Sequence, residues 1–90
     1  MNKVILNGKR MITIEKTHAY LKRKFDFPDY YGKNLDALWD LLSVWDKELL
    51  IVIINKEDII ENLESYGSSL LKLLAELADE NRNISVRYEN

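Results

Sequence analysis

One segment of the chain concentrates the residue types that could do chemistry. It reads Tyr30-Tyr31-Gly32-Lys33-Asn34-Leu35-Asp36-Ala37-Leu38-Trp39-Asp40. Asp36 and Asp40 are four residues apart, so on a helix both carboxylates lie on one face, beside aromatic side chains that look exposed. Such a face adds nothing to a core and favours contact with a partner. A purely structural role stays open, with Asp36 stabilising the helix N-terminus and Asp40 on ordinary surface.

Three kinds of chemistry are open to this aspartate pair. An acid/base pair for hydrolysis would need an apolar cleft that raises one carboxyl pKa, and a convex helix face offers none. A calcium or magnesium site needs more oxygen ligands than one helix supplies. A carboxylate that imitates phosphate needs only a basic site on a partner protein, because it offers arginine similar paired oxygens. Only phosphate imitation is possible on a convex surface that has neither a cleft nor additional oxygen ligands.

Length and composition predict one small domain spanning residues 1–90. The apolar share of 47% and the charged share of 31% suit a folded domain with a soluble surface. No cysteine is present, which excludes disulfides and thiolate ligands, and we expect neither a cofactor nor a metal. The start of the chain lacks a signal-peptide pattern, and no apolar run approaches membrane-spanning length. We therefore expect a cytoplasmic protein without membrane contact.

The charges are unevenly divided along the chain. Residues 1–24 carry seven basic residues and one acid, net +6, whereas residues 25–90 carry six basic residues and fourteen acids, net −8, which together give −2. Such a separation can orient a charged partner, although an ordinary solvated surface explains it more simply. Direct nucleic-acid binding through the basic segment conflicts with the acidic remainder, so we expect none.

Hydrophobic periodicity predicts strands that alternate with pairs of helices. We expect strands at residues 4–6, 49–54 and 84–88. We expect a helix capped by Thr13 and running to about Phe25, a helix from about Leu35 to Val44 capped by Asn34, and helices that start near Asn55 and at Ser68 or Ser69. The unbroken apolar run 49–54 predicts a central strand buried on both faces. Long crossovers give parallel pairing, so the predicted fold class is α/β, with a three-stranded parallel sheet of order 1-2-3 and about four α-helices.

Helical wheels place the apolar stripes of the helices. In the first helix the stripe contains Ile14, His18, Leu21 and Phe25. In the second helix the leucines and Trp45 cluster on one side, with Trp39 at the border of the cluster. Asp36 and Asp40 fall nearly opposite and should face solvent.

The same residues resemble the barstar family, intracellular inhibitors of barnase-type secreted ribonucleases. The resemblance spans the whole chain and is most specific from Pro28 to Trp45, where the motif Tyr-Tyr-Gly-x-Asn-Leu-Asp-Ala-Leu-Trp-Asp is intact. It implies a barstar-like α/β fold and no enzymatic activity. It also implies a protein that is monomeric when free and binds a secreted basic ribonuclease one to one in the cytoplasm. The alternative is an acidic interaction module for a different basic partner.

The resemblance also assigns roles to residues. The helix at 35–44 and the loop before it would enter the nuclease cleft, with Asp40 in place of the substrate phosphate and Asp36 against an arginine at the rim. Tyr30 would pack on the catalytic histidine, and Asn34 would donate or accept a hydrogen bond across the interface. The complete set of implied partner contacts is Tyr30, Tyr31, Gly32, Asn34, Asp36, Trp39, Asp40, Val44, Trp45 and Glu76.

The chain also departs from the family pattern. Lys33 stands where the best-known member has glutamate, and Val44 replaces a glycine before Trp45. Leu41 and Arg82 occupy the family's two cysteine positions. Lys33 and Val44 predict a different cognate nuclease.

Overall fold

A computed structural model describes residues 2–89, and within them three strands alternate with helices. The elements are β1 (Asn2–Asn7), a 3-10 turn (Gly8–Arg10), α1 (Ile14–Phe25), α2 (Leu35–Ser43), β2 (Leu49–Ile54), α3 (Lys56–Leu63), α4 (Ser65–Glu80) and β3 (Ile84–Glu89). The strands form one parallel sheet in the order β1-β2-β3. The predicted fold class, the strand order and the four α-helices are confirmed.

The hydrophobic core lies on one face of the sheet. Leu6 on β1 and Ile53 on β2 are paired neighbours in the sheet, and both are fully buried in this core. Side chains alternate between faces along a strand, so Leu50, Val52 and Ile54 point away from it. Val52 is buried there, but Leu50 and Ile54 are only half-buried. The prediction that residues 49–54 are buried on both faces is therefore wrong at these two positions.

Two helices begin at the predicted cap residues. The Thr13 hydroxyl accepts a hydrogen bond from the Lys16 N–H at 3.1 Å, and α1 follows it directly. Asn34 caps α2 in the same way. The buried stripe of α1 begins only at Thr17 and His18, however. The prediction for Ile14 is wrong: its side chain is exposed, because the first turn of α1 lies outside the packed stretch.

The junctions around α3 differ from the predictions. Asn55 precedes α3, but its side chain does not cap the helix, because its backbone is left-handed, with a φ of 55°, and not extended as in a cap residue. Its Nδ2 donates to Asn7 Oδ1 at 2.9 Å. Helix α4 begins at Ser65, three or four residues before the predicted start at Ser68 or Ser69. Gly67 lies in this added stretch, where a Cβ would lie 2.6 Å from the Ile59 carbonyl oxygen. The glycine continues the helix while allowing α4 to approach α3 closely.

Candidate partner-binding face

The N-terminus of α2 is fixed by Asn34. Its Oδ1 accepts a hydrogen bond from the Ala37 N–H at 2.7 Å, and its Nδ2 donates to the Gly32 carbonyl at 3.3 Å. Lys33, between them, has a φ of 56°, in the left-handed region that non-glycine residues adopt less readily. Asn34 therefore ties the loop before α2 to the helix itself, and the exposed Lys33 lies in that loop.

The C-terminus of α2 is held by Asn81, a residue that the sequence reasoning missed. Its buried Nδ2 lies 3.1 Å from the Leu42 carbonyl, 3.3 Å from that of Ser43 and 2.9 Å from that of Trp45. The amide has two hydrogens, so three carbonyls share them. Its Oδ1 accepts the Asn83 N–H at 2.9 Å. Asparagine before a strand is typical of an ordinary turn, so no sequence signal distinguished this residue.

Between these two fixed ends, α2 exposes its aspartates as predicted. Leu38 and Leu42 are fully buried, Trp39 is half-buried, and Asp36 and Asp40 are exposed. Within residues 2–89, neither carboxylate forms a salt bridge with a cation of the chain. The acidic face of α2 is therefore free to pair with cations outside this chain.

A shallow depression between α2 and α4 brings Asp36, Trp39 and Glu76 together. Asp36 and Trp39 are neighbours on α2, whereas Glu76 is distant in sequence, and the packing of α2 against α4 places all three along one groove. The same depression contains Lys72, a cation that the sequence reasoning did not associate with the site. One side of the candidate face is thus formed by two helices.

Two further depressions continue along α2. One is lined by the predicted residues Tyr30, Tyr31, Gly32 and Asp40, together with Ala37 and Leu41. The other lies past the end of the helix and contains Val44, which is 75% exposed, and the half-buried Trp45. Nine of the ten predicted contact residues therefore line these depressions, and the tenth, Asn34, caps the helix between them.

The two neighbouring tyrosines of the loop have opposite environments. Tyr30 is 79% exposed, but Tyr31 is only 4% exposed, so its expected exposure is wrong. The Tyr31 hydroxyl lies 2.7 Å from Nδ1 of the buried His18, whose Nε2 lies 2.6 Å from the Tyr66 hydroxyl. A neutral imidazole satisfies both contacts, since one ring nitrogen donates and the other accepts. Through this chain of contacts, α1 and α4 hold the loop that presents Tyr30.

Burial determines the protonation of this buried cluster. Desolvation lowers the pKa of His18, and it raises the pKa values of Tyr31 and Tyr66. All three groups therefore stay neutral around pH 7. The apolar stripe of the first helix predicted a core or half-buried position for His18, and the residue is fully buried between two hydroxyls.

Stability is therefore expected to decrease in mild acid. In the unfolded chain the imidazole has its ordinary pKa of 6.5, so below that pH the unfolded state binds a proton that folded His18 does not. The folded state therefore keeps its full stability with respect to His18 above pH 6.5, and it loses free energy of unfolding as the pH falls below that value. Urea unfolding of the wild type and of His18→Gln, from about pH 8 to about pH 5.5, measures the effect. Equal pH slopes for the two proteins would contradict this account.

Comparison with known proteins identifies the family. The sequence model of the family described as Barstar (barnase inhibitor) matches residues 1–89. The chain belongs to the barstar family. A Bacillus subtilis (strain 168) protein named "Putative ribonuclease inhibitor YrdF" is 46% identical over 81 residues, which cover 89% of each chain. Barstar-family proteins are inhibitors and not enzymes, and the match supports ribonuclease inhibition as the general activity of this chain.

None of the helices within residues 2–89 has both the length and the apolar character needed to cross a membrane. In the same range, no group of three or more histidine, aspartate or glutamate side chains is arranged to hold a metal ion.

Proposed function

We propose that this barstar-family protein inhibits a secreted, barnase-type basic ribonuclease in the cytoplasm by occluding its active site. A free monomer would bind one nuclease molecule, with α2 and the loop at residues 30–34 in the cleft. The observation that carries the proposal is the exposed carboxylate of Asp40, which forms no salt bridge within residues 2–89, beside the exposed ring of Tyr30.

Charge complementarity supports this partner class. A ribonuclease must bind polyanionic RNA, so its cleft presents cations to the backbone phosphates. Asp40 is proposed to occupy a phosphate position there, since a carboxylate accepts paired hydrogen bonds from arginine. Asp36 would meet an arginine at the rim, and Glu76 would add a second carboxylate across the groove from it. An acidic face of this kind also accelerates encounter with a basic partner.

Aromatic groups next to the carboxylates supply the apolar part of the proposed interface. Tyr30 extends into solvent and would stack on the catalytic histidine of the nuclease, while Trp39 and Trp45 would flank the contact. Tyrosine and tryptophan near the centre of a charged face are typical of interface hot spots. Tyr31 would act mainly by holding Tyr30 in place, because its own ring is buried.

Gly32 and Asn34 are proposed to set the shape of the loop that enters the cleft. A Cβ at position 32 would lie 3.2 Å from the Cβ of Ala37, so only glycine allows the loop to pass this close to the helix without displacement. Asn34 would contribute a hydrogen bond to the partner beyond its capping role. The loop would reach the nuclease as a preformed structure, which lowers the ordering cost of binding.

Lys33 and Val44 are proposed to select the cognate nuclease. Both side chains are exposed, one in the loop and one past the end of α2. A partner that matches this face would place an acidic group near Lys33 and an apolar surface near Val44. The same two residues also favour the second candidate function, binding of a basic protein other than a nuclease by the same face.

Inhibition of RNA cleavage tests the proposal. The purified protein is mixed with a set of barnase-type ribonucleases, and hydrolysis of RNA is followed. At least one enzyme is expected to lose its activity near equal molar amounts. The double variant Asp36→Asn/Asp40→Asn, which keeps shape and removes charge, is the matched control and should inhibit poorly. If micromolar protein inhibits none of them and a pull-down returns a basic protein of another kind, the second candidate function is favoured.

A further inference from the structure

A second charged depression lies on α1 and shares no residue with the α2 face. It has a volume of about 300 Å³ and is lined by Arg10, Ile12, Lys16, Tyr20 and Arg23. It contains three cations and no carboxylate among its lining residues. The basic N-terminal third of the sequence thus contributes to a defined surface feature.

The fold brings these residues together in a simple way. Lys16, Tyr20 and Arg23 are spaced four and three residues apart, so they share one face of α1. The 3-10 turn after β1 places Arg10 over the Tyr20 ring, 5.8 Å from its centre, and Arg23 lies 5.6 Å from the same centre. The ring is itself fixed, because the Tyr20 hydroxyl accepts the backbone N–H of Asn7 at 2.9 Å.

No carboxylate of the chain neutralises this cluster within residues 2–89. The salt bridges there join Lys22 to Asp29 and Arg87 to Glu89, and none involves a cation of the depression. The helix dipole accounts for Arg23, which lies in the last turn of α1. It does not account for Lys16, which lies in the first turn where the dipole disfavours a cation, or for Arg10, which lies outside the helix.

The chemistry of the cluster indicates which ligand would fit it. Guanidinium groups bind the oxygens of a phosphate group in pairs, and an ammonium adds a further donor. The Tyr20 ring is only 6% exposed beneath the two arginines, so it offers no platform on which a nucleobase could stack. Recognition would therefore depend on phosphate and not on base identity.

We propose that Arg10, Lys16 and Arg23 form a phosphate-binding site on α1, distinct from the face that binds the nuclease. The phosphate comes either from a small molecule that carries phosphate groups or from the backbone of RNA. The site does not depend on ribonuclease inhibition. The RNA source would overturn the expectation, drawn from the acidic remainder of the sequence, that the chain makes no direct nucleic-acid contact.

Binding of two probes tests the proposal and separates the sources. Pyrophosphate binding is measured by calorimetry, and binding of labelled single-stranded oligouridylate by fluorescence anisotropy at low salt. The test variant is Arg10→Gln/Arg23→Gln. The control is Lys3→Gln/Arg82→Gln, which changes the net charge equally at two exposed positions outside both faces. Thermal unfolding of each variant confirms that it is folded.

The wild type is expected to bind at least one probe, and the test variant at least about tenfold more weakly than the control variant. Tighter binding of pyrophosphate assigns a small phosphate ligand, whereas tighter binding of the oligonucleotide, with a steep salt dependence, assigns RNA. The test variant should still inhibit the ribonuclease, which keeps this proposal separate from the previous one. Failure of both probes to bind at millimolar concentration, or equal losses in the two variants, would overturn it.

Discussion

Asp40→Ala is expected to weaken binding to the inhibited ribonuclease by about 2–5 kcal/mol, roughly thirtyfold to several thousandfold. The proposed contact pairs this carboxylate with cations that normally hold a substrate phosphate. Removing it leaves those cations buried in the complex without a partner, which costs more than the loss of one surface contact. The effect should appear mainly as faster dissociation, measured by surface-based kinetics or stopped-flow fluorescence.

Glu15→Ala is the matched control for Asp40→Ala. Both residues are exposed acids on helices, and both variants lose one negative charge, but Glu15 lies on α1, away from the depressions along α2. Its loss should change the affinity little. Equal effects of the two substitutions would show that overall charge, and not the assigned face, determines binding.

Asn81→Ala is expected to lower the free energy of unfolding by about 2–3 kcal/mol. Its buried amide donates to carbonyls at the end of α2 and just after it, and alanine would remove this shared donor. Within residues 2–89, the Leu42 carbonyl would keep only backbone N–H donors, and the Trp45 carbonyl would keep only Asn83 Nδ2. The end of the helix would fray, so the position of Val44 and Trp45 would be lost as well. Urea unfolding at neutral pH measures the change.

Asn62→Ala provides the comparison for Asn81→Ala. Asn62 is exposed and donates one hydrogen bond, to the Met11 carbonyl at 3.2 Å. Because water can replace that bond, its removal should cost no more than about 1 kcal/mol. If the two variants lose the same stability, Asn81 is not the main support of the end of α2.

The sequence predicted the fold well where local patterns and tertiary packing agree. The apolar run at 49–54 is the central strand, and long crossovers make its neighbours parallel. Thr13 and Asn34 have side chains that compete with the backbone for hydrogen bonds, which is why each begins a helix where the pattern predicts. The helical wheel of α2 correctly predicted that the side chains of Asp36 and Asp40 are exposed.

Predictions failed where a distant partner decides the outcome. Tyr30 and Tyr31 are identical and adjacent, and the second is buried because its ring packs on Phe27 and its hydroxyl contacts His18, thirteen residues earlier. Gly67 is typical of a helix breaker, but close packing against α3 keeps it within α4. No local pattern contains either contact.

In the candidate site too, local sequence patterns predicted some residues, whereas contacts between distant segments determined the others. Spacing along α2 was sufficient for the aspartates, whereas Glu76 entered the site only through the family resemblance. The packing of α4 against α2 then placed it beside Asp36 and also added Lys72, which nothing in the sequence linked to this face. Asn81 was missed because its three acceptors lie nearly forty residues earlier in the chain.

The mode of inhibition tests the central claim most directly, namely that α2 and its loop occupy the active site of the nuclease. Initial rates of cleavage of a short RNA substrate are measured after equilibration at several substrate and inhibitor concentrations, with the nuclease well below the inhibition constant, so that titration of the enzyme by a tight inhibitor does not itself lower the apparent kcat. Active-site occlusion predicts that the apparent KM rises with inhibitor concentration while kcat stays constant. A fall in kcat at unchanged KM would place the inhibitor elsewhere on the nuclease and contradict this account.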